Sequence, residues 1–172
     1  MRYLIAAAAA VVLLAACSSS PSSSTTGAAP AATAPPHSPA AALRSPAAAV
    51  IADRMKAAGM PVRRLVVYTP STDPNHMMDR QGGYTSKVAW ADPRAAKHDA
   101  GDTRGSIGLG GGIEVYPTAA GAHERDVYLR CFSAPFGDGW DYVAGTALLR
   151  LSQYLTPGQA HAYRTAFQRA AS

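Results

Sequence analysis

Five side chains within twenty residues carry the chemistry that stands out in this chain: Asp73, Asn75, Tyr84, Lys87 and Asp92. Two carboxylates, a carboxamide, a phenol and an ammonium together make a surface that can hold a polar ligand or partner through charge and directional hydrogen bonds. A plainer use of the same residues is the simpler reading. Asp73 and Asn75 flank Pro74, a sequence that favours Asx turns, and Lys87 can pair with Asp92 or Glu114 across a sheet.

Other chemistry is poorly supported. The chain has no Gly-x-Ser-x-Gly elbow, no His-Glu-x-x-His and no Ser-x-x-Lys, so no catalytic residue is assigned. The run Gly108-Leu109-Gly110-Gly111-Gly112 leads into a strand pattern, whereas a phosphate cradle needs a helix there; it reads as a flexible turn, and no cofactor is expected. Asp73-x-Asn75-x-Met77-x-Asp79 begins like a calcium loop, but Met78 stands where glycine is needed and Tyr84 where glutamate is. His76, Met77, Met78 and Met60 offer soft donors for Cu(I); methionines filling a core edge are the simpler reading, and no metal site is assigned. His98, His123 and His161 read as surface residues. Cys131, inside Val127-Tyr128-Leu129-Arg130-Cys131-Phe132, reads as a buried, inert thiol.

The elements that must position these residues lie in 46–172. Ser45-Pro46 suits a helix start, Ile51, Met55 and Ala58 share a face, and Gly59 closes the helix. Strands are expected at Arg63–Tyr68, Tyr84–Trp90 and Ile113–Tyr116, with a long polar loop over 69–84. Ser86, Val88 and Trp90 share one face. A helix follows from a Thr118 cap to about Phe132, with Ala120, Val127, Tyr128 and Cys131 inward. Trp140–Ala144 and Ala147–Leu151 continue the sheet, bent at Gly145. The last helix has the sharpest boundary: Thr156, Pro157 and Gln159 form a capping box, Leu155 staples against Ala160, and Tyr163, Phe167 and Ala170 make the core stripe. Short connections between strands favour an antiparallel sheet. The expectation is an α+β two-layer domain, with four to five mainly antiparallel strands and three helices packed on one face.

Ahead of this domain, Met1-Arg2-Tyr3 supplies a positive start and 4–14 an unbroken apolar run. Eleven helical residues span roughly 16 Å, about half a bilayer core, which reads as a signal-peptide segment. Leu14-Ala15-Ala16-Cys17 resembles the lipobox of bacterial lipoproteins. That resemblance implies a diacylglyceryl group on the Cys17 thiol, cleavage before Cys17 and further acylation of its amine. Two or three acyl chains anchor stably where one binds only reversibly. Residues 18–45 follow, 24 of 28 being Ser, Thr, Ala or Pro, a composition that cannot offset chain entropy by burial. Such a tether reaches roughly 30 Å as a coil and roughly 85 Å as polyproline II. The organisation expected is thus a signal peptide over 1–16, a lipidated terminus and disordered tether over 17–45, and one domain over 46–172.

The formal charge of the chain is +5, from 16 basic and 11 acidic residues. Without Arg2 and Arg44 the domain keeps fourteen against eleven, a scattered +3, too diffuse for a nucleic-acid interface. Alanine supplies 37 of the 172 residues, so the 48% apolar content overstates the core.

Asp73-Pro74-Asn75, Gly83-Tyr84-Thr85-Ser86-Lys87, Asp92, Glu114-Val115-Tyr116 and the segment from Tyr142 to Ser152 together resemble a group of small lipoproteins and exported proteins from high-GC Gram-positive bacteria. Met77-Met78-Asp79-Arg80-Gln81 departs from the Leu-Leu-Gly-Arg-Pro type of turn expected there. The resemblance spans about 49–167 and implies export and an α+β domain; the family brings no established activity. The reading that follows is a non-catalytic module, lipid-anchored on the outer face of the cytoplasmic membrane. Its expected partners are the membrane, through the lipid, and a cell-wall component, small polar ligand or envelope protein. The alternative is an envelope hydrolase or transferase whose residues converge only in three dimensions.

Overall fold

The computed structural model describes residues 46–98, 101, 103–133 and 139–172. The signal peptide, Cys17, the tether over 17–45, the Ser45 cap and most of the loop before Trp140 lie outside them. Among the described residues, four α-helices and five strands follow one another as α1 (Ala48–Ala57), β1 (Arg63–Val67), β2 (Ser86–Ala91), the short α2 (Pro93–Ala96), β3 (Gly110–Val115), α3 (Ala119–Ser133), β4 (Trp140–Ala144), β5 (Ala147–Leu151) and α4 (Pro157–Ala171). All strand pairs are antiparallel, in the order β1-β2-β3-β5-β4. The α+β class, the five-stranded sheet and the three long helices match the expectation.

Strand alternation gives the sheet two different faces. Val88, Trp90, Ile113, Val115, Leu149 and Leu151 pack with Ile51, Met55, Tyr163 and Phe167 in the main core, so α1 and α4 cover this face. The opposite face carries Lys87, Glu114, Leu148 and Arg150 and is covered by α3 and the 69–84 loop. Ala122, Leu129 and Met78 pack there with Tyr84, Tyr116 and Leu148. The three long helices are therefore shared between the two faces, and α3 adds a layer on the polar side.

That polar side explains why the inward stripe of α3 differs from the expected one. Ala122, Asp126 and Leu129 are buried, at i, i+4 and i+7, whereas Val127 and Tyr128 are 59% and 52% exposed. Cys131 is exposed too, not buried. The sheet beneath offers charges, so α3 turns Arg125 and Asp126 partly inward and leaves apolar side chains outside. Apolar periodicity points the wrong way on such a helix.

Local signals hold at most boundaries. Thr156 and Gln159 form both bonds of the capping box, at 3.4 and 2.9 Å. Helix α1 ends in a Schellman arrangement: Gly59 N–H reaches Lys56 O, Met60 N–H reaches Met55 O, and Gly59 takes φ +89°. Its start is set by tertiary structure, because the Ala48 N–H donates to Ser86 Oγ at 3.0 Å. Gly145 (φ +57°) and Thr146 make a two-residue hairpin loop between β4 and β5. Edge strand β1 is bulged at Arg64, which takes φ +50°, a device that discourages edge-to-edge pairing.

Gly110, Gly111 and Gly112 are buried members of β3 and not a flexible turn. A Cβ on Gly111 would lie 2.9 Å from the Trp90 ring and 2.8 Å from Arg150 O; on Gly110 it would collide with the backbone N of Asp92. The glycines let neighbouring backbone and the Trp90 indole close in from both sides.

Candidate functional site

The 69–84 loop folds over the start of β2 and seals Asp73 beneath it. Asp73 is 1% exposed. Its carboxylate accepts hydrogen bonds from the Met77 and Met78 N–H groups at 2.9 and 3.2 Å, from the Asn75 N–H at 3.3 Å and from the Tyr84 hydroxyl at 2.7 Å. Lys87 Nζ donates to Asp73 Oδ1 at 2.9 Å and to the Tyr84 oxygen at 3.2 Å. The ammonium also sits 5.0 Å from the Tyr68 ring centroid and 5.2 Å from that of Tyr84. Burial would raise the Asp73 pKa, but the Tyr84, Lys87 and Met77 hydrogen bonds outweigh it and hold the carboxyl well below the usual range. Burial and then the Asp73 hydrogen bond push the Tyr84 phenol well above its ordinary value.

Of the five residues singled out in the sequence, Asp73, Tyr84 and Lys87 converge, but as an interior knot. Asn75 is exposed beside it. Lys87 pairs with Asp73 and not with Asp92 or Glu114.

Asp92 belongs to a separate group beyond the other end of β2. It is fully buried, caps α2 by accepting from the Arg94 N–H at 2.9 Å, and is gripped by the Arg94 guanidinium at 2.6–3.2 Å. The Tyr163 hydroxyl donates to Asp92 Oδ2 at 3.0 Å and accepts from Trp90 Nε1 at 3.3 Å. This chain ties α4, β2 and α2 together.

A third group escaped the sequence reading. Glu114, 2% exposed, lies opposite Lys87 in the register of β2 and β3. It accepts from the Tyr116 hydroxyl at 2.8 Å and lies between Arg125 (3.5 Å) and Arg150 (3.8 Å), while Arg150 also approaches Asp141 at 3.6 Å. Glu114 Oε1, Arg125 Nε and Arg150 Nε are buried without a hydrogen-bond partner, the kind of shortfall that calls for an explanation. Burial raises the Asp141 carboxyl pKa despite Arg150. The alternation of Glu114 with Ile113 and Val115 reads as a solvent-facing position because nothing local announces a helix laid over that face. The useful signal was the Arg125-Asp126 pair on the inner side of α3, legible only once its partner surface is known.

The two arginines reach separate clefts. Arg125 lines one of about 360 Å³ with Met77, Gly82, Gly121, Glu124 and Tyr128. Arg150 and Asp141 line one of about 170 Å³ with Ser152 and Gln153. Chemically these are cation-bearing recesses suited to holding an anionic group. His98 stacks on Tyr154, and His123 and His161 are exposed. Met78 sits in the polar-side core and Met60 against the main core, so the methionines are divided between layers. Among the described residues, no three His, Cys, Asp or Glu side chains gather as metal ligands, and no helix is long and apolar enough to cross a membrane. No protein-family model, no curated protein and no solved structure matches the chain.

Proposed function

We propose that this chain is a lipid-anchored, non-catalytic binding module on the outer face of the cytoplasmic membrane. The observation that carries the reading is Leu14-Ala15-Ala16-Cys17 at the end of an 11-residue apolar run, too short to span a bilayer. Resemblance to small exported lipoproteins supports the same placement. The binding role rests on how the charges are used. Asp73, Lys87 and Asp92 are bound into the interior, whereas Arg125 and Arg150 keep donors at two clefts. The partner is a wall component, a small polar ligand or an envelope protein that meets the polar side of the domain.

The test of the anchor is metabolic labelling with a radioactive fatty acid in an exporting bacterial host. Wild type should carry label and partition with membranes; Cys17→Ala should lose label and accumulate uncleaved. A Cys17→Ala protein that is still processed and still partitions with membranes would overturn the proposal.

A further inference from the structure

Arg125 is held in a way that leaves most of its hydrogen-bonding capacity unspent. Its side chain is only 12% exposed and faces Glu114 at 3.5 Å, too far and too poorly aligned for a hydrogen bond from Nε. The Tyr128 ring lies 5.2 Å from the guanidinium carbon. Among the described residues, no acceptor takes a hydrogen bond from this fork of five donors, and the fork lines the 360 Å³ cleft. A guanidinium in that state suits a planar oxyanion, above all a carboxylate.

Two further features shape the recess. Gly121 stands near the start of α3, yet a Cβ there would meet only ordinary contacts, Thr118 Oγ1 and the Tyr116 ring at 3.5 Å. Alanine would fit there and is the better helix former; glycine leaves that edge of the cleft without a side chain. Glu124, exposed beside Arg125, supplies a negative charge on the same wall. Met77 and Tyr128 supply apolar surface.

We propose that this cleft binds a small zwitterion, a free amino acid or dipeptide with small apolar side chains. Its carboxylate lies on Arg125, its ammonium by Glu124 and its side chain against Met77 and Tyr128. The inference rests on the binding-module reading and names the ligand class for it.

Calorimetric titration of the mature lipidated protein in detergent, with dialanine in L,L and D,D forms, tests it. Binding should weaken at least about tenfold for dialanine amide, for N-acetyl-dialanine and for the Arg125→Gln variant. Because Arg125→Gln also unpairs Glu114, a second variant, Gly121→Leu, fills the cleft without touching a charge and should abolish binding while retaining the wild-type circular dichroism. Equal binding of acid and amide, equal binding of the N-acetyl form, unchanged binding by Gly121→Leu, or no binding of dialanine at millimolar concentration would each overturn the assignment. Displacement of dialanine by equimolar inorganic phosphate would overturn it as well, in favour of a general oxyanion site. The wider reading is tested separately, by retention of wall fragments on the wild-type protein. Retention without dialanine binding sinks only the cleft assignment.

Discussion

Lys87 Nζ lies 2.9 Å from Asp73 Oδ1, and the two side chains are 7% and 0% exposed. Fourteen residues apart, they fasten a long polar loop to a central strand. A loop of this composition has little apolar surface of its own, so this pair and the Tyr84 hydroxyl do much of what a small core does elsewhere. An interior ion pair adds little net stability against an apolar substitute, but half of one is very costly.

Lys87→Met should therefore lower unfolding stability by about 3–5 kcal/mol, because Asp73 keeps its burial and loses its cation. Asp73→Asn with Lys87→Met should lose clearly less than the sum of the two single changes. Urea unfolding of the four proteins measures this, and additive losses would show that the pair is not coupled.

Acid should probe the same residue. The folded Asp73 carboxyl titrates below its ordinary value, which in an unfolded chain is about 3.9. The folded protein then binds fewer protons than the unfolded one between those two values. The contribution is complete above the unfolded value and is lost as pH falls through the folded one. The stability gap between wild type and Asp73→Asn should be flat above about pH 5 and narrow below about pH 4. A gap independent of pH down to the acid transition would contradict the assignment.

Gly110→Ala and Gly111→Ala should each destabilise by at least about 1–3 kcal/mol, the usual range for overpacking. At Gly110 the obstructing atoms are backbone and cannot turn aside. Gly111→Ala should also shift the fluorescence of Trp90, whose ring it would displace. A Gly110→Ala protein as stable as wild type would show that β3 yields more than its geometry implies.

What the sequence discloses and what it withholds divide along physical lines. The α4 capping box, the Gly59 stop, the shared face of Ser86, Val88 and Trp90 and the positions of the strands along the chain are readable because local chain chemistry decides them. Residues 110–112 read as a turn because glycine weakens a strand, and the gain that offsets this lies in Trp90, Asp92 and Arg150, distant in sequence. Tyr128 and Cys131 look inward because a helix normally hides its apolar side; α3 lies on charges. That Asp73, Tyr84 and Lys87 lie in one polar region is foreseeable from their chemistry, although the sequence offers Asp92 or Glu114, and not Asp73, as the partner of Lys87. Their enclosure is not, since it depends on the backbone N–H groups of Met77 and Met78 turning back onto Asp73.

The bond from the Ala48 N–H to Ser86 Oγ has a mechanical meaning. Whatever tension reaches the domain through the chain ahead of Pro46 arrives at the first turn of α1, two residues on. There it meets a clamp onto β2, an inner strand hydrogen-bonded on both sides, before it can unzip the helix from its end. A pull from the N-terminal side would thus be shared with β2, which is paired to β1 and β3. Under the anchoring proposed above, that would bring the inner strand β2 into the path of the load at the first turn of the domain.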